Sequence, residues 1–162
     1  MALFLLKYKG WSGLDIMRDL GVGAQYRYIS VIKEKYQDME VIERNEPPYL
    51  AIEFRTPLGS VRRKDAFTPD TGEWESYSVE KLFKSEEDYP IIKYVLEHTT
   101  PVEDTGYHEV RNEVDEDGMV MTGAGENSPA QRIMLEIMGY DVFFYELMGH
   151  PTKLEELSEK SI

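Results

Sequence analysis

The stretch GMVMTGAGENSPAQRIMLEIMG, residues 118–139, decides how the chain is read. It runs from a strand through a glycine loop into a helix. Ser128 stands at the N-cap, Pro129 at the first helical position, and Gln131 completes an S-x-x-Q capping box. Ile133, Met134, Ile137 and Met138 recur at helical spacing and are expected to face a core, with Gly139 as the stop. A strand followed by a capped helix is the repeating unit of α/β proteins, and that sets the fold class.

Working outward, residues 141–148 are predicted to form a short helix that buries Phe143, Phe144 and Leu147, and Pro151 opens a last polar helix. At the other end, ALFLLKY (residues 2–8) reads as a buried strand. Ser12 caps a helix over GLDIMRDL that Gly21 stops, with Ile16 and Leu20 on one face. Tyr28, Ile32 and Tyr36 stand four apart and predict a second helix over residues 23–37. After Met39 the period changes. YLAIEFRT alternates, Thr56-Pro57-Leu58-Gly59 suits a hairpin loop with Gly59 in a following bulge, and residues 60–67 return as the partner strand. A third strand is expected within residues 73–79, so residues 39–79 read as an inserted antiparallel segment. A helix follows from near Ser85, with Asp88 placed for a capping box and Ile91, Ile92, Val95 and Leu96 as its buried stripe. Another is expected at about 103–114.

The 162 residues carry a formal net charge of −13, with 41% hydrophobic residues. The apolar content supports a core. The charge argues against nucleic-acid phosphates and anionic membranes as partners. No apolar run reaches the ~18 residues of a membrane-spanning helix, and no basic leader or cleavage site marks a signal peptide, so a cytoplasmic location is expected. With no cysteine, thiolate ligands and disulfides are excluded from this chain.

Two places are candidates for binding. The loop GAGENSPAQ, residues 123–131, lacks both the Walker ending and the third glycine of a dinucleotide fingerprint. It reads as a tight turn before a capped helix, as an anion cradle at a helix N-terminus, or as the lining of a pocket at the C-terminal end of a barrel strand. On the last reading Gly123, Gly125, Glu126, Asn127 and Ser128 contact substrate. The second place is the basic hairpin, where Arg55, Arg62, Arg63 and Lys64 fall within ten positions. It is either a solvated sheet face paired with acids or, through Arg55 and Arg62, an anion site. His98, His108 and His150 have no partner at metal-ligand spacing. No residue is assigned a catalytic role, and no metal site is expected.

EFRTPLGSVRR, KLFKSEEDYPIIKYVLEH and DGMVMTGAGENSPAQRIMLEIMGYDVFFYELMGHPTKLEELSEK, in that order, resemble the uroporphyrinogen decarboxylase superfamily, in its decarboxylase-like branch related to corrinoid methyltransferases. Thr56, Pro57 and Gly59 match the hairpin. Ser85, Glu87, Asp88 and Tyr89 match the helix start. Ser128, Pro129, Met138, Gly139, Phe144 and Tyr145 match the third block. The resemblance covers about residues 10–160. It implies a partial (β/α)8 TIM barrel, the N-terminal units only, as one incomplete domain over 1–162, since a whole barrel takes about 250 residues. It implies methyl transfer between a small methylated substrate, a corrinoid protein and a thiol or pterin acceptor. Zinc and corrinoid belong to a full-length member, and no cofactor is expected in this chain. The partners implied are a corrinoid protein or the missing C-terminal half, with a homodimer as a further alternative. The arginine-rich motif of the decarboxylase proper is missing, which argues against porphyrinogen decarboxylation, and the chain alone is expected to be inactive. The competing expectation is a non-enzymatic α/β module that pairs with another chain.

Overall fold

The computed structural model describes residues 7–67, 76–123 and 127–161. The protein is mixed α/β, with several sheets, none of them closed among the described residues. It divides into two compact units: Met1–Lys33 with Pro101–Glu126, and Glu34–Thr100 with Asn127–Ile162.

The first unit is built on a parallel strand pair. Helix α1 (Gly13–Leu20) starts as expected, with the Ser12 hydroxyl accepting from the Asp15 amide, and stops at Gly21 with φ 65°. Its buried residue is Leu14, with Met17 packed beside it, whereas Leu20 is exposed. Residues 23–37 are not a helix. They form β1 (Ala24–Ser30) and β2 (Ile32–Tyr36). Four-residue spacing is a multiple of the strand period as well as close to the helical one, and aromatic and β-branched residues here favour the pleat. The strand expected at 2–8 lies outside the described residues except for Lys7 and Tyr8, and neither is in a strand: Lys7 is helical and Tyr8 sits in the turn that follows.

β1 pairs in parallel with the strand Gly118–Gly123, from Ala24↔Gly118 to Ser30↔Gly123, with an irregularity between Tyr26 and Ile29. The close approach at Gly118 needs glycine: a Cβ there would lie 2.1 Å from the carbonyl oxygen of Ala24. Helix Gly106–Val114 packs on this pair, and Val114, Leu14 and Ala24 form the small buried core. Arg18 ties α1 to the same region through Asp117, at 2.6 Å, and the Glu113 carbonyl, at 3.0 Å.

The second unit holds an antiparallel sheet of β3 (Glu40–Glu46), β4 (Tyr49–Thr56), β5 (Gly59–Phe67) and β6 (Ser76–Glu80), in that order. The hairpin turns where the sequence predicts it. The Thr56 hydroxyl accepts from the Leu58 amide and donates to the Gly59 carbonyl. Gly59 has φ 136°, yet the register runs unbroken from Thr56↔Gly59 to Tyr49↔Ala66, so the expected bulge is not formed. Of the strand expected at 73–79, residues 73–75 lie outside the described residues.

Ile52, Phe54 and Val61 turn one sheet face into a core shared with four helical segments. These are α2 (Tyr89–Glu97), a π-helix at Ile133–Met138, α5 (Tyr140–Gly149) and α6 (Pro151–Lys160). The remaining strands and α-helices, in chain order, are β7 (Thr99–Glu103), α3 (Gly106–Val114), β8 (Gly118–Gly123) and the short α4 (Pro129–Arg132). β2 pairs with β7. Before α2, the Asp88 carboxylate accepts from the amides of Lys84 and Ser85 at 2.7 and 3.0 Å. α2 buries Ile92, Val95 and Leu96 as predicted, and Tyr89 besides, whereas Ile91 is only partly buried. α5 departs from expectation. Phe143 is buried, but Phe144 and Leu147 are exposed and Glu146 takes the second inward position. Almost every residue of α5 is apolar, so hydrophobicity does not select its inner face.

Candidate functional site

The structure places the glycine-loop residues in separate settings. Gly123 ends β8, while Gly125 and Glu126 lie outside the described residues. Asn127 and Ser128 open α4 and are exposed. The Ser128 hydroxyl accepts from the Gln131 amide at 3.3 Å, and the Gln131 side chain accepts from the Ser128 amide at 3.0 Å. Both groups of the capping box are therefore occupied, and the hydroxyl has a structural job. Asn127 donates to Glu136 at 3.3 Å.

Arg55 and Arg62 sit on the solvent face of the sheet, each held by acids. Arg55 bonds Glu53 at 2.9 Å and reaches Glu40 at 3.5 Å. Arg62 bonds Glu80 at 3.2 and 3.1 Å, and Lys84 shares that carboxylate. The Arg55 hydrogen bond holds Glu53 below its ordinary carboxylate value. Burial would raise Glu80, but the bonds from Arg62 and Lys84 outweigh it and lower the value. This is the arrangement of a solvated ladder of cross-strand pairs.

Two side-chain groups were not read from the sequence. The first surrounds the π-helix. Lys81 donates to the Leu135 carbonyl, and the Phe83 amide donates to the Ile137 carbonyl at 3.0 Å. Arg132 bonds Glu34 and stands 3.5 Å from Glu136. Tyr36 donates to Glu34 at 2.7 Å. Burial, reinforced by Glu34, pushes the Tyr36 phenol up. Burial pushes Lys81 down, with Asp65 opposing. Arg63 turns to the inner side of β5, 3.6 Å from Asp65, and its Nε is buried without a hydrogen bond. Cations and acids are interleaved here, so the group carries no excess charge to attract an anion.

The second group is anchored by Glu146, 6% exposed. One carboxylate oxygen accepts from the Tyr89 hydroxyl at 2.8 Å and meets His150 Nδ1 at 2.9 Å. The other ring nitrogen of His150, Nε2, lies 3.6 Å from Glu86, which binds Lys153 at 2.9 Å. Burial and Glu146 together raise the Tyr89 phenol, which keeps it a hydrogen-bond donor rather than a base. Glu146 and His150, four apart on one helix line, are the sequence signal for this group.

A cavity of about 270 Å³ is lined by Tyr89, Pro90, Lys93, Lys153, Glu156 and Leu157. Its lysines are committed, Lys93 to Glu156 at 3.1 Å and Lys153 to Glu86. A second of similar volume, in the first unit, has Arg18 on its wall, already bound to Asp117. Neither cavity brings a nucleophile together with a base. Among the described residues no three histidine or carboxylate side chains are grouped to hold a metal. No helix among the described residues is long and apolar enough to cross a membrane. Comparison with family models, curated proteins and solved structures finds no match.

Proposed function

We propose that the chain is the N-terminal part of a uroporphyrinogen decarboxylase-like protein of the methyltransferase type. The whole protein moves a methyl group between a small methylated substrate, a corrinoid protein and a thiol or pterin acceptor, and its zinc ligands come from a later segment. The observation that carries the reading is the β1·β8 pair. It is a parallel ladder with helix α3 packed on it. Parallel strands covered by helices are the unit from which a (β/α)8 barrel is built. Gly123 then stands at the C-terminal end of a barrel strand, where such enzymes bind substrate.

The test is the reading frame after residue 162, followed by assay of the product. A frame that continues with an H-x-C motif and a later cysteine, and whose product transfers methyl groups from a methylated thiol, supports the reading. Turnover of a methylated thiol or a porphyrinogen by the 162-residue chain alone overturns it. The second reading, a non-enzymatic subunit that pairs with another chain, draws on the same open strand edges, which can accept a strand from a partner. A stop codon at that point favours it.

A further inference from the structure

We propose that the outer face of α5 is a homodimer interface, in which two copies pack this helix against each other about a two-fold axis. The inference is independent of the enzymatic reading, because it uses only this helix and its surroundings.

Helix α5 is apolar almost throughout, yet it turns only Phe143 and Glu146 into its own core. At about 100° per residue, Leu147, Tyr140, Phe144, Met148 and Tyr145 follow one another around an outward arc of about 160°. They remain exposed, Phe144 at 54%, Tyr145 at 77% and Met148 at 88%. A helix that is hydrophobic on all sides is normally covered on all sides. Tyrosine, phenylalanine and methionine are also the side chains enriched where proteins meet.

Area points to a second copy as the occupant, and the near absence of charge on the arc permits it. Weighted by exposure, the five side chains of the arc present roughly 700 Å², close to the roughly 800 Å² that each partner contributes to a standard interface. The chain carries −13, and two copies repel at long range. The arc itself holds one charged residue, Asp141, so the facing surfaces bring few like charges together. An isologous contact requires one patch to complement itself, and a row of rings and thioethers on a single helix can interdigitate with its own copy.

The experiment is sedimentation equilibrium of the purified chain over a range of concentration and of sodium chloride, for the natural sequence and for Tyr145→Glu combined with Met148→Glu. Both residues are exposed, so the double variant is expected to keep its circular-dichroism melt. The expected result is a concentration-dependent dimer that tightens as salt screens the repulsion, and its loss in the double variant. A monomer at every concentration overturns the proposal. So does a dimer that survives the double substitution, which places the contact elsewhere. A dimer that loosens with salt overturns it too, because an ionic contact rather than this apolar arc then holds the copies together.

Discussion

Ser128 and Gly118 show how single residues fix their surroundings. Ser128 is exposed, and its hydroxyl satisfies an orphan amide at the start of α4. Ser128→Ala is expected to cost about 1 kcal/mol in chemical denaturation, with Ser128→Asp restoring most of it. An unchanged midpoint would mean that water replaces the cap at no cost. Gly118 is stricter, because what a Cβ meets there is backbone rather than a movable side chain. Gly118→Ala must part β1 from β8, and we expect a loss of about 1–3 kcal/mol. Amide exchange reads it locally, as faster exchange along β1. Both residues were legible to different degrees. The S-x-x-Q pattern names its own bond, whereas nothing in the sequence around Gly118 announces that another strand passes so close.

At the scale of elements, the sequence was most readable where one local rule acts alone. The hairpin at Thr56–Gly59, the start of α1 at Ser12 and the capped start of α4 appear where their turn and cap residues stand. Residues 23–37 failed because spacing by four serves both periods, and only pairing with β8 and β7 resolves it. α5 failed for the opposite reason, an excess of apolar positions. Its inward Glu146 is compatible with burial only because Tyr89 and His150 meet it. Tyr89→Phe removes one donor while keeping the ring, and is expected to destabilise by about 1–3 kcal/mol. A neutral result would show that His150 alone satisfies the carboxylate. Glu86 makes a pH-dependent contribution at the same corner. Lys153 and His150 hold its carboxyl below the ordinary value of 4.5. A depressed folded value stabilises above the unfolded value and is lost as pH falls through the folded one. Glu86→Gln is therefore expected to flatten the acid side of the melting curve below about pH 4.5, with no change in slope at neutral pH.

At the scale of the whole molecule, the two units differ most in what they bury. Among the described residues, the core of the second unit runs from Ile52, Phe54 and Val61 of the sheet through Ile92, Ile133 and Leu157 of the helices. The core of the first is Leu14, Ala24 and Val114, with four partly buried neighbours. Alternation and helical stripes made the larger core legible, because sheet and helices each present a patterned face. The smaller one was not, since its strands were read partly as helix. Stability in a folded chain is local where apolar burial is local. Buried apolar area is the main favourable term, and three core residues supply a small share of it. The β1·β8 ladder should therefore open at a lower free energy than the β4·β5 ladder. Native-state hydrogen exchange in increasing denaturant checks this. The amides of residues 24–30 and 118–123 are expected to exchange through a low-energy opening, while those of 49–56 and 59–67 exchange only near the global midpoint. Equal protection of the two ladders would show that the units unfold as one. In that case the small core is supported by contacts beyond those that its own buried residues make.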